Sequence, residues 1–286
     1  MADEPTAPDA PTEAPEPAAN GAAPAAPAGS GAGDGPILEA SGVTMAFGGV
    51  RALSDVDAAF HPGTLCGLIG PNGAGKTTFF DCLTGIRQPT SGTIRLAGQD
   101  VTARSATWRA RQGIRRTFQR QQIFGWLPVE DNVLVALEWQ GGGGGLVADL
   151  LSLPSRKSRE RARRERVDEV LELCGLASLK NEPAANLPIG RARMVELARA
   201  VVDKPRVLLL DEPTSGLEEV EVENLAKVVR RLCVEEGCAV VLVEHDVGFV
   251  MRECDRVMVL NLGSVIANDV PDVVRQDEAV RAAYLG

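Results

Sequence analysis

The chain has 286 residues, a formal net charge of −9, and a composition that is 44% hydrophobic and 24% charged. That length allows one large or two modest globular domains. No apolar run approaches the ~20 residues needed to cross a bilayer, so the chain is expected to be soluble and any membrane span to belong to another subunit.

The first 36 residues differ from the rest. They hold eight of the 18 prolines, twelve alanines and no Lys or Arg. Their six acids (Asp3, Glu4, Asp9, Glu13, Glu16 and Asp34) leave 33 acids against 30 bases over residues 37–286, so the acidity says little about a partner. The stretch has no apolar segment and no basic start, so a secretory signal is not expected. It cannot bury enough surface to offset its chain entropy, and it reads as a disordered, solvated tail over 1–36. The six cysteines form no C-x-x-C pair and read as buried thiols of a reducing compartment.

Residues 37–60 alternate as strands do, with Val56, Ala58 and Phe60 on one face. Phe47 precedes Gly48-Gly49; its ring suits adenine stacking and core packing equally. The run Thr64–Ile69 suits a buried strand. It leads into Gly70-Pro71-Asn72-Gly73-Ala74-Gly75-Lys76-Thr77, which is G-x-x-x-x-G-K-T, followed by Thr78. The spacing is that of a phosphate loop. Its glycines let successive backbone N–H groups turn toward one point, Lys76 reaches for the outer phosphates, and the Thr77 hydroxyl suits Mg²⁺. A helix is expected over Thr77–Leu83 with Gly85 as its stop, and its N-terminal dipole favours an anion.

Gly92–Gly98 reads as a hairpin arm, and Ile114–Phe118 as a strand running into Gln119. A Gln there offers a carbonyl to a metal or orients a water, and equally suits the surface. From 120 to about 203 the pattern turns helical, as an insertion in an α/β domain. Val133, Leu134 and Leu137 form one face after Asp131. Gly141–Gly145 is a flexible joint, and Ser155 caps a helix through Leu173. The many arginines between 156 and 166 are interrupted by acids and lack aromatics, so a solvated face is favoured over nucleic acid or lipid headgroups.

Val207–Leu210 is an apolar strand ending in Asp211-Glu212, suited to a metal-holding carboxylate and a water-activating base. Glu218–Glu236 reads as an amphipathic helix stopped by Gly237. Ala239–Val243 is another buried strand, ending in Glu244-His245-Asp246. One of two histidines in the chain thus falls at a strand end, where ligands collect in such sheets. Strand–helix alternation predicts an α/β fold with a mostly parallel sheet.

The phosphate loop, Gln119, Leu187-Pro188-Ile189-Gly190-Arg191, Leu210-Asp211-Glu212 and His245 occur in this order. Together, over residues 37–286, they resemble the ATP-binding subunit of ABC transporters. Phe47–Val50, Arg116–Gln119, Asp131–Ala136 and Ala283–Gly286 give the finer look of its branched-chain amino acid uptake subfamily. The resemblance implies a P-loop NTPase core with an antiparallel β subdomain and a helical insertion. It implies ATP and Mg²⁺ as ligands, Glu212 as base, His245 at the γ-phosphate, Gln119 at the metal, and Phe47 at adenine. It implies a second nucleotide-binding subunit whose Gly190 region closes the site. It implies transmembrane permease subunits, with this chain peripheral on the cytoplasmic side of the cell membrane, and indirectly a solute-binding protein, with no nucleic acid. The chain departs from the family pattern at Pro188 and Ile189, where Ser and Gly are usual, at Met194 and at Glu218. The Pro removes a hydroxyl and an N–H facing phosphate. Other readings are a motor for urea, amides or an exported lipid, a weakly hydrolysing scaffold, and a non-transport clamp. A GTPase is disfavoured because no N-K-x-D motif occurs.

Overall fold

A computed structural model describes residues 35–119, 122–140 and 154–285. Nearly all of the Ala/Pro tail, the Gly141–Gly145 run and Gly286 lie outside the described residues.

Two sheets form the frame. In the first, β1 (Leu38–Phe47), β2 (Val50–Phe60), β4 (Ser91–Leu96) and β5 (Gln99–Asp100) pair antiparallel in the order β2-β1-β4-β5. Val56, Ala58 and Phe60 are buried together, on the face their alternation indicates. The second sheet contains β3 (Leu65–Ile69), β6 (Ile114–Arg116), β7 (Val207–Asp211), β8 (Ala239–Val243), β9 (Arg256–Asn261) and β10 (Ser264–Asp269). Its order is β10-β9-β3-β8-β7-β6, parallel throughout except for β10 at one edge.

β3, β7 and β8 are buried at every position because both faces are covered. Successive residues therefore serve two cores. Cys66, Leu68, Val207, Leu209, Val241 and Val243 face one that includes the first sheet and α1 (Lys76–Thr84). Leu65, Ile69, Leu208, Leu210, Val240 and Leu242 face another built with helices. Those helices include α4 (Pro154–Leu173), α5 (Ile189–Val201), α6 (Glu219–Glu236) and α7 (Val247–Glu253), after the short α2 (Ala106–Arg111) and α3 (Val129–Leu134). α8 (Pro271–Gln276) and α9 (Glu278–Leu285) close the chain.

Three local differences from expectation have physical causes. β6 ends at Arg116, two residues early: Thr117 N still donates to Leu209 O at 3.0 Å, and the chain then leaves the sheet. Asp131 sits inside the first turn of α3, whose cap is Pro128. α4 starts at Pro154, a residue whose fixed φ suits a first turn, so Ser155 lies within the helix. The α4 stripe of Val167, Val170 and Leu171 is fully buried, and Gly175 ends the helix at φ 68°. Its arginines pair with acids: Arg161 with Glu165, and Arg164 with both Glu160 and Glu130.

All six cysteines are buried free thiols. Burial pushes Cys66, Cys174 and Cys233 up to about 12, so they are inert as nucleophiles. Among the described residues no helix is long and apolar enough to cross a membrane.

Candidate functional site

Register decides what meets at the strand ends. Leu68 of β3 and Asp211 of β7 both pair with Val243 of β8. The residues that follow those three strands therefore emerge side by side: Gly70 onward, Glu212, and Glu244-His245. A cleft of about 210 Å³ opens there, lined by Ala52, Asn72 to Thr78, Glu212, Val243 and His245.

The loop's shape requires its glycines. Gly75 has φ 105°, and a Cβ on it would lie 2.5 Å from Ala52 O. Gly70 has φ 151°, and a Cβ there would lie 2.1 Å from Leu260 O. Pro71 and Asn72 carry the loop outward, and Ala74 is buried beneath it. Lys76 folds back across the loop, its Nζ donating to Gly70 O at 2.5 Å and Pro71 O at 3.1 Å. Burial draws its pKa below the ordinary lysine value, opposed by the charges of Glu212 and Asp211. Thr77, at the start of α1, is exposed into the cleft.

Glu212 follows β7 in a left-handed conformation, φ 50°, held by its N–H to Val243 O at 2.9 Å. That turn aims the side chain at its neighbours. Gln119 Nε2 donates to Glu212 Oε2 at 3.0 Å, and His245 Nε2 lies 2.9 Å from Oε1. Asp211, the residue before Glu212, pairs through Oδ2 with Arg116 Nη2 at 2.9 Å. Below His245, buried Glu244 accepts from Thr214 N and Oγ1, each at 2.7 Å, and from His245 N at 3.2 Å. Burial raises its pKa.

Gly70, Pro71, Gln119 and Asp211 border this cleft without lining it, and two residues singled out from the sequence lie in other surroundings. Phe47 ends β1, with the Arg87 guanidinium 5.2 Å from its ring centre. Gly190 lies in the first turn of α5, packed on α6 so closely that a Cβ would meet Glu221 Oε2 at 1.9 Å. Conversely, Ala52 and the Thr214–Glu244 pair belong to the neighbourhood and carry no motif of their own, and Arg116 belongs to it although the Arg116–Gln119 stretch gives it no role. Only the position of Arg116, three residues before Gln119, hinted at it.

Similarity to known proteins places the chain in a family. A family model described as ABC transporter matches residues 53–215. The protein BraF of Pseudomonas aeruginosa, named a high-affinity branched-chain amino acid transport ATP-binding protein, is 39% identical over 88% of this chain and 98% of its own. This chain belongs to the ABC transporter ATP-binding family. A model described as branched-chain amino acid ATP-binding cassette transporter matches residues 264–286 of the cassette. LptB of Escherichia coli, from a lipopolysaccharide export system, is 32% identical over 87% of the cassette and 97% of its own length. Among solved structures, the ADP conformation of the ATP-binding cassette MJ1267 superposes with a TM-score of 0.75 at 27% identity, covering 87% of this chain and 98% of that one.

The ABC fold implies nucleotide binding and hydrolysis. The residues present fit a magnesium-bound triphosphate: a cradle that admits no Cβ at Gly70 or Gly75, a cation folded over it, an exposed hydroxyl at Thr77, and carboxylates beyond. Among the described residues no cluster of three or more His, Cys, Asp or Glu forms a metal cage.

Proposed function

We propose that the cassette hydrolyses ATP to drive an ABC importer of branched-chain amino acids. The observation that carries the substrate class is the 39% identity to BraF together with the match of residues 264–286 to the branched-chain model. The similarity to LptB, at 32%, keeps an exported lipid as the second reading.

The chemistry follows from the cleft. Loop N–H groups, the α1 dipole and Lys76 bind the phosphates. Thr77, Asp211 and Gln119 would hold Mg²⁺, which when bound neutralises phosphate charge. Glu212 takes a proton from the water whose oxygen attacks the γ-phosphorus as the bond to ADP breaks. His245 holds Glu212 Oε1 and reaches the γ-phosphate from its turn after β8. Phe47 stacks adenine, and Gly190 of a second subunit closes the site.

Permease subunits dock near Phe124 and Trp126, which place the cassette on the cytoplasmic side of the membrane. The two rings lie 5.7 Å apart, and Trp126 is 78% exposed. The test is co-expression with candidate permeases and a leucine-uptake assay in vesicles. ATP-dependent uptake supports the reading. Uptake of an unrelated solute alone would reassign the cargo. Unchanged assembly after charging Phe124 and Trp126 would remove the docking site.

A further inference from the structure

β6 ends on Arg116, and its guanidinium is enclosed. Its Cζ lies 5.5 Å from the Phe80 ring centre and 5.1 Å from that of Phe118. Nη1 donates to Asp81 Oδ1 at 2.6 Å, and Nη2 to Asp211 Oδ2 at 2.9 Å. The Arg116 side chain is 5% exposed and that of Asp211 7%. Asp81 belongs to α1, four residues beyond Thr77 and so on the same side of that helix. One cation therefore joins the helix that begins at the phosphate loop, the strand that ends on Asp211, and the segment that leads to Gln119. Thr117 Oγ1 adds to this by accepting from Asp211 N at 3.3 Å.

Arg116 engages one oxygen of Asp211. Oδ1 has no hydrogen bond or ion pair among the described residues. A carboxylate anchored through one oxygen by a buried guanidinium has a fixed plane, and its second oxygen a fixed direction. Buried ion pairs contribute little net stability, because desolvation offsets most of the attraction. The use of such a group here is positional.

We propose that Arg116 is a positioning residue of the nucleotide site, holding Asp211 in the orientation that receives the magnesium of bound ATP and locking the phosphate-loop helix to the end of β7. This inference rests on the nucleotide-site reading given above. It assigns Arg116 to the magnesium-dependent part of ATP binding. The metal-independent part belongs to Lys76 and the loop amides.

The experiment titrates the full chain with a non-hydrolysable ATP analogue, once in EDTA and once in saturating MgCl₂. In Arg116→Gln, affinity in EDTA stays within about twofold of the parent, while the enhancement by Mg²⁺ falls by about tenfold, the usual effect of removing a group that orients a metal ligand. Arg116→Lys keeps the charge but cannot span both carboxylates, and loses about threefold of the enhancement. If Arg116→Gln does not fold, Arg116→Lys decides alone. An undiminished Mg²⁺ enhancement overturns the proposal, and so does an equal loss of affinity in both buffers, which marks general damage. A parent chain that binds the analogue but shows no Mg²⁺ enhancement also overturns the proposal, whereas a parent chain with no affinity in either buffer refutes the nucleotide-site reading instead, a distinguishable result.

Discussion

His245 Nε2 lies 2.9 Å from Glu212 Oε1, although the two residues are 33 apart in the chain. Gln119 holds the second oxygen at 3.0 Å. Each oxygen of one carboxylate is thus met by a side chain that follows another strand, β8 or β6. The carboxylate is oriented through both oxygens, and each keeps a further lone pair that can accept from a water.

Glu212→Gln keeps the size of the side chain and removes its basicity. Turnover is expected to fall by about 10²–10⁴-fold with ATP affinity nearly unchanged. Single-turnover phosphate release with equilibrium nucleotide binding checks both halves. Near-normal turnover would move the base to another residue.

Lys76 supplies a pH dependence. Burial lowers its pKa in the free chain below the ordinary 10.5, against the opposing pull of Glu212 and Asp211. Bound phosphates favour the charged ammonium and raise it again. Binding therefore takes up a proton once the pH approaches the lowered value, and affinity falls as the pH rises through it, by up to about one decade per pH unit. Calorimetry in buffers of different ionisation enthalpy measures the uptake. Lys76→Gln binds more weakly and shows no such slope.

Pro188 caps α5 without any side-chain hydrogen bond. A serine there accepts from the N–H groups of the first turn, stabilising the helix by about 1 kcal/mol, and restores a hydroxyl to the face a second subunit would present. Pro188→Ser is expected to raise the melting temperature and to increase steady-state hydrolysis severalfold. No gain in hydrolysis would mean that the missing hydroxyl at 188 does not limit turnover.

Arg109 is fully buried, and it serves the end of α1 rather than a carboxylate. Nη1 donates to Cys82 O at 2.7 Å and Leu83 O at 2.8 Å, Nη2 to Thr102 O at 2.9 Å, and Nε to Arg104 O at 3.2 Å. Burial lowers its pKa to about 10, so it stays charged at neutral pH. Arg109→Ala removes a donor from each of those carbonyls, of which Cys82 O keeps the Gly85 N–H at 3.2 Å, and opens a cavity, a loss of about 3 kcal/mol or more in urea unfolding. A smaller loss would mean that water replaces the guanidinium.

What the sequence reveals here follows from burial. β3, β7 and β8 are short continuous apolar runs because both of their faces are covered, and that pattern is readable without coordinates. The loop Gly70–Thr77 is readable because backbone geometry demands glycine at fixed places. Arg109 and Arg116 are not, since an arginine in a sequence reads as surface and only the fold supplies its buried acceptors. The early end of β6 is hidden because Thr117 and Phe118 are themselves good strand residues. The demand for glycine at 190 comes from Glu221 on α6, a contact between helices that no local pattern encodes.

The most direct measurement is a crystal structure of Glu212→Gln grown with ATP and MgCl₂. The account predicts the γ-phosphate against Lys76 with the metal bounded by Thr77, Gln119 and Asp211, and His245 on the phosphate's far side. Nucleotide bound elsewhere, for example in the arginine-lined groove of about 410 Å³ beside Arg115 and Arg199, with the phosphate loop empty, would contradict it.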